Sequence, residues 1–148
     1  MVSLTTLNRA VERADLARIY DGKLRALNLQ NMAIEQLDRL SCVDIVVREL
    51  NLSGNNLRHL RGIEQFYHLE KLDLANNRIS QPDELRYLSN LDIFELNLTG
   101  NPVERDPTLK EKVLKQCKKL KRFNGKAISD LQNGFSSSEL LREGSTFS

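Results

Sequence analysis

The segments ELNLSGNNL (49–57), KLDLANNRI (71–79) and ELNLTGNPV (95–103) are one pattern written three times, and ALNLQNMAI (26–34) is a looser fourth copy. Each opens on a Leu-x-Leu pair, passes through a polar turn and reaches an aliphatic residue seven positions after the first leucine. Asn55, Asn77 and Asn101 hold the same place in the turn; the first copy has Met32 there, with Asn31 one position early. The leading leucines Leu27, Leu50, Leu72 and Leu96 are 23, 22 and 24 residues apart, so one structural unit repeats in register.

The apolar residues around each copy fill out the unit. The second runs Val47, Leu50, Leu52, Asn55, Leu57, Leu60, Ile63 and Phe66, and the first Leu24, Leu27, Leu29, Ile34, Leu37, Leu40 and Val43. The third runs Leu69, Leu72, Leu74, Asn77, Ile79, Leu85 and Leu88, with Pro82 where an aliphatic belongs. Side chains alternate along a strand, so Leu-x-Leu points both leucines to one face. The asparagine turns the chain and its amide can satisfy backbone groups of adjoining coils. Aliphatics spaced by three then pack a helical or 3₁₀ segment back over the leucines. One such coil cannot bury its own face, so coils stack. This is the leucine-rich repeat of the short class. The predicted fold is an α/β solenoid of about four full repeats plus a partial one, with short parallel strands on the concave face and helical caps.

Both ends of a stacked core need cover. Leu4, Leu7, Ala10, Val11 and Ala14 recur at helical spacing, predicting an N-terminal cap helix over 4–18. The repeats then occupy 24–103. A C-terminal cap over 106–128 follows, where Asp106 precedes Pro107 at a helix start and Thr108-x-x-Glu111 offers a competing cap. Leu109, Val113, Leu114, Cys117 and Leu120 form its apolar stripe, and Leu120 to Phe123 repeats the step that opens the other coils, predicting a last partial strand. Residues 1–128 read as one domain; 129–148 is a Ser-rich tail in which Ser136 or Ser137 would cap a short turn.

With 40% apolar and 28% charged residues and a net charge of +2, the composition is that of a soluble globular protein. The charge is unevenly placed. Residues 110–126 carry eight Lys or Arg against one Glu, leaving the remainder at −5. No run reaches the roughly 18 apolar residues a membrane helix needs, and the first residues lack a signal-peptide apolar core. Cys42 and Cys117 read as reduced, buried thiols, giving a cytoplasmic expectation. His59 and His68 lie in variable parts of the repeats with no nucleophile or carboxylate motif around them, and phosphate-loop and metal signatures are absent. No enzyme, cofactor or metal site is expected.

The residues flanking each Leu-x-Leu face outward. One column is Ala26, Glu49, Lys71, Glu95 and Arg122, the next Asn28, Asn51, Asp73, Asn97 and Asn124, and the third Gln30, Ser53, Ala75, Thr99 and Lys126. The middle column reads either as a stabilising amide ladder or as a polar docking strip. Over the full repeats this face carries Glu49, Asp73 and Glu95 against Lys71 alone, which disfavours a nucleic-acid track. A protein partner is expected on Glu49, Asn51, Lys71, Asp73, Glu95 and Asn97. Lys115, Lys118, Lys119 and Arg122 make an electrostatic patch on the cap, without interleaved aromatics. The domain is expected to be monomeric.

The stretch GNPVERDPTLKEKVLKQCKKLKRFNGKAI (100–128) resembles the C-terminal cap of intracellular leucine-rich-repeat proteins of the phosphatase-regulator class. Val113-Leu114 matches that pattern, whereas Leu109-Lys110, Cys117-Lys118 and Phe123-Asn124-Gly125 replace its Tyr-Arg, Leu-Pro and Leu-Asp-Gly. The segment 77–102, NRISQPDELRYLSNLDIFELNLTGNP, is similar to basal-body and axonemal members, the cilia- and flagella-associated proteins. That resemblance implies a scaffold at a basal body, cilium or flagellum, a cytoskeletal location and a NIMA-related kinase among the partners. The alternative resemblance, carried by ARIYDGKLRALNLQNM (17–32) and the lengthened last repeat, is to the leucine-rich-repeat module of messenger-RNA export or spliceosomal factors. It implies RNA or protein binding in the nucleus.

Overall fold

The computed structural model describes residues 4–41 and 45–129. Within them the four Leu-x-Leu pairs become four short strands, β2 (Ala26–Asn28), β3 (Glu49–Asn51), β4 (Lys71–Asp73) and β5 (Glu95–Asn97). They pair in parallel with Leu27, Leu50, Leu72 and Leu96 in register, so equivalent residues of every repeat stand side by side. The leucines of both Leu-x-Leu positions lie inside one continuous core, with Leu29, Leu52, Leu74 and Leu98 fully buried.

Opposite the sheet the chain returns in 3₁₀ segments. Ile63–Gln65 carries the second repeat, Pro82–Leu88 the third and Pro102–Arg105 the fourth. Pro82 stands at the first position of its segment, where a missing N–H costs nothing, and this reconciles proline with a place that otherwise takes an aliphatic.

Asn55, Asn77 and Asn101 are 3%, 6% and 4% exposed, and each ties its repeat to the preceding one. The Oδ1 of Asn55 accepts from the Met32 and Ile34 amides at 3.0 and 2.9 Å. Asn77 takes the Leu57 amide and Asn101 the Ile79 amide, both at 3.0 Å. Their Nδ2 groups donate back to strand carbonyls of both coils, as in Asn77 to Leu52 and Leu74. The position just before each of these asparagines, and before Met32 in the first repeat, holds a left-handed turn residue: Asn31, Gly54, Asn76 and Gly100, all with φ between 57° and 81°. Asn and Gly alternate there for a steric reason. A Cβ on Gly54 would fall 1.9 Å from Asn31 Oδ1, and one on Gly100 would fall 2.2 Å from Asn76 Oδ1.

The ends differ from expectation in detail. The single helix predicted over 4–18 is two helices, α1 (Leu7–Arg13) and α2 (Leu16–Ile19). Thr6 Oγ1 starts the first by accepting from the Arg9 amide; Asp15 interrupts it by capping the Ala17 amide, and Ala14 between them is extended. Leu4, predicted to begin that helix, lies ahead of its start at Leu7 and is 51% exposed. Leu24, assigned to the core, is 57% exposed because it lies in the turn of a hairpin joining β1 (Tyr20–Asp21) antiparallel to β2. At the other end α3 (Leu109–Gln116) follows Asp106 by two residues instead of beginning at Pro107, and Thr108 makes no side-chain cap. Asp106 still organises that start, accepting from the Thr108 amide, the Thr108 hydroxyl and Lys112 Nζ at 2.9, 2.7 and 2.8 Å. Leu109, Val113, Cys117 and Leu120 are buried, with Leu114 half-buried. The partial strand is β6 (Arg122–Phe123), parallel to β5, and it folds back through Asn124-Gly125 onto β7 (Lys126–Ala127). Val43, Cys42 and the Ser136 or Ser137 cap lie outside the described residues.

Candidate functional site

Because the strands are in register, the outward residues on either side of each buried leucine form straight rows across the sheet. Glu49, Asn51, Lys71, Asp73, Glu95 and Asn97 all line one shallow groove of about 380 Å³, floored by the strands and reaching Ala26 and Gly125 at its ends. The six side chains are half-buried, so their polar groups meet solvent from a rigid floor.

The two rows have different local duties. In the middle row the oxygen of each side chain folds back onto its own turn. Asn28 accepts from the Gln30 amide, Asn51 from Ser53, Asp73 from Ala75 and Asn97 from Thr99, at 3.2, 2.9, 3.0 and 3.0 Å. The Ser53 and Thr99 hydroxyls add a bond each to Asn51 and Asn97. An amide ladder along the row is therefore not what forms among the described residues. The nearest N–H, two residues on, claims the oxygen first, as short polar side chains commonly do. Asn124 behaves differently, reaching back to the Leu98 amide at 2.7 Å.

In the charged row Glu49, Lys71, Glu95 and Arg122 stand on successive strands as register partners with alternating sign. Among the described residues no ion pair joins any two of them. Lys71 instead lies 5.8 Å from the Phe94 ring centre, and Arg122 donates to the Gly125 carbonyl at 3.0 Å.

On the cap, Lys115 and Lys118 are exposed. Lys119 is paired with Asp92 at 3.3 Å, and Arg122 belongs to the sheet row rather than to the helix. The four patch residues are thus not one surface of equivalent free cations. Lys112 and the two Thr108 donors hold the Asp106 carboxyl down at about 2. Burial pushes the Cys117 thiol up to about 12.

One grouping had no sequence signal. His59, read as free of any carboxylate, has Glu84 Oε2 3.1 Å from its Nδ1. Glu84 is 8% exposed, and its other oxygen accepts from the Leu60 amide at 2.8 Å. The pair sits on the wall of a cavity of about 760 Å³ on the 3₁₀ side. Gln65 bridges the coil before it, accepting from the Leu40 amide and donating to the Asp38 carbonyl at 3.0 and 2.9 Å. Both residues fasten neighbouring coils. Among the described residues there is no cluster of three or more metal-ligating side chains and no helix long and apolar enough to cross a membrane.

Comparison with known proteins agrees with the repeat reading. The Leucine Rich Repeat family model matches residues 68–91. A Drosophila pseudoobscura relative, acidic leucine-rich nuclear phosphoprotein 32 family member A, is 31% identical over 113 residues, covering 76% of this chain and 39% of the relative. Mouse leucine-rich repeat- and IQ domain-containing protein 1 is 31% identical over 95 residues, covering 63% of this chain and 6% of that protein. The chain thus spans well under half the length of both. Among solved structures, a chain of the Drosophila melanogaster SNF/U2A′ complex superposes with a TM-score of 0.62 at 20% identity, covering 96% of this chain and 94% of that one. A chain of the Chaetomium Mex67:Mtr2 subunits gives 0.60 at 20% identity, over 84% and 97%.

These findings correct the expected location. The cytoplasmic, cytoskeletal and basal-body placement is overturned: the Drosophila pseudoobscura relative, which covers 76% of this chain, is nuclear by name. They likewise lend nothing to cilium or flagellum assembly or to a NIMA-related kinase. The particular phosphatase-regulator class is not matched beyond the repeat itself.

Proposed function

We propose that this chain, a leucine-rich-repeat protein by its repeat, its fold and its relatives, serves as the protein-docking module of a nuclear assembly, holding its partner on the outer face of the sheet. The observation that carries the reading is the groove. It gathers Glu49, Asn51, Lys71, Asp73, Glu95 and Asn97 on a floor fixed by the strand register. A rigid floor loses little entropy when a partner is bound, and half-buried charges desolvate further on contact, which favours specificity. The name of the nuclear relative supports the compartment. The acidic balance of the groove supports a protein partner over a phosphate backbone.

The test uses a photo-crosslinking residue placed at Asn51 or Asn97, with Glu111 on the outer side of α3 as the control position. In RNase-treated nuclear extract, crosslinks to a discrete protein are expected from the two sheet positions and not from Glu111. Asp73→Arg with Glu95→Arg should remove them without unfolding the domain. Equal crosslinking from Glu111, or crosslinks that vanish with RNase, would refute docking of a protein on the sheet.

A further inference from the structure

We infer that the partner of the groove is an α-helix laid across the strands, carrying alternating charges at i, i+3, i+7 and i+10 that complement the row Glu49, Lys71, Glu95 and Arg122. The inference rests on the docking role proposed above and specifies its chemistry. The row presents minus, plus, minus, plus on consecutive strands, and none of these charges is neutralised by a row neighbour among the described residues.

Geometry selects the helix. Neighbouring strands lie about 4.8 Å apart, so the row from Glu49 to Arg122 spans about 14 Å over three strand gaps. A helix rises about 1.5 Å per residue, so residues i and i+10 lie about 15 Å apart along its axis, with i+3 and i+7 near the strands between. An extended peptide places same-face residues about 6.8 Å apart and would cover about 20 Å in three steps, losing register by the third strand. β4 and the strands beside it are paired on both edges, so a partner cannot enter there by adding a strand. The required pattern is basic opposite Glu49, acidic opposite Lys71, basic opposite Glu95 and acidic opposite Arg122. Asp73 lies two residues from Lys71 on the same strand, which favours a further basic residue on the partner's flank.

Two synthetic helical peptides of about 15 residues test this, both with two Lys and two Glu and no net charge. One places them as Lys, Glu, Lys, Glu at the four positions, the other as Lys, Lys, Glu, Glu. Reversing the alternating peptide end to end only exchanges its signs, so the block peptide is the informative control. By fluorescence anisotropy at low salt the chain should bind the alternating peptide about tenfold more tightly, the preference fading as salt screens it. Lys71→Glu with Glu95→Lys leaves the net charge of the chain unchanged and turns its row into two acids followed by two bases. That variant, folded by circular dichroism, should prefer the block peptide. Equal affinities, no binding of either peptide at low salt, or an unchanged preference in the swapped variant would overturn the inference. The crosslinks from Asn51 and Asn97 decide separately whether the sheet docks a protein at all.

Discussion

Replacing the buried asparagines by alanine should destabilise the fold in an order that the hydrogen bonds dictate. In Asn77→Ala the Leu57 amide loses its acceptor at 3.0 Å, but Leu52 and Leu74 keep a second donor each, from Asn55 and Asn101 at 2.8 Å. One buried N–H is orphaned, at a cost of about 1–3 kcal/mol. In Asn55→Ala two amides, Met32 and Ile34, lose their acceptor together, and Leu29 loses the Asn55 donor at 2.9 Å. The same reasoning gives about 2–6 kcal/mol for the two amides, a large share of the roughly 5–15 kcal/mol that holds a typical domain together. Asn101→Ala orphans the Ile79 amide alone and should fall beside Asn77→Ala. Urea denaturation followed by circular dichroism gives the midpoints. Equal losses at all three positions, or the smallest loss at Asn55, would refute the view that these side chains act by satisfying the preceding coil.

Three further outcomes follow from individual groups. The Asp106 carboxyl is held near 2, below the usual range, so it ionises more readily in the folded chain than in the unfolded one. Its stabilising contribution is complete above about pH 4 and is lost as pH falls towards 2; Asp106→Asn should flatten that part of the acid unfolding curve and leave the rest unmoved. The Cys117 thiol, pushed up to about 12 by burial, should resist maleimide at pH 8 in a Cys42→Ser background, its labelling tracking global unfolding; fast labelling of the folded chain would contradict its place in the cap core. A generic single-stranded RNA should bind weakly and only at low salt, and Lys115→Glu with Lys118→Glu should abolish that binding while leaving sheet crosslinks intact. A tight, salt-insensitive RNA complex in filter binding would contradict a protein-docking role.

The repeat was legible because two periods meet in it. Leu-x-Leu is a strand signal of period two, and the aliphatics that follow repeat every three, so strand, turn and 3₁₀ segment can be placed from the residues alone. What sequence did not show was local competition. Asp15 reads as one more polar residue on a helical face, yet its carboxylate reaches the Ala17 amide and starts a second helix. Leu24 continues the spacing of the other repeats, but the Asp21 carboxylate gathers the Lys23 and Leu24 amides into a hairpin turn and leaves the leucine outside. The contact of His59 with Glu84 joins residues 25 positions apart with no shared motif, so only the stacking of coils brings them together. The groove residues were visible as columns; their separate duties were not.

Those duties bear on how specificity is built. Asn97 and Asn101 sit four residues apart on one turn, yet Asn101 spends its amide on the preceding coil while Asn97 spends its oxygen on Thr99 of its own coil. Structural work on this face is thus done by the buried asparagines and by the middle row. Glu49, Lys71 and Glu95 show no side-chain hydrogen bond or ion pair to other described residues. Substitutions at Glu49, Lys71 and Glu95 should therefore move folding free energy by only about 0.5 kcal/mol while moving partner affinity much further. The separation is physical: each row is one residue wide, held in register by the strand ladder, and a change of sign in the charged row disturbs no bond that positions the other. A row whose charges can be rearranged at little cost to the fold is where a stacked-coil scaffold can change partner without being rebuilt.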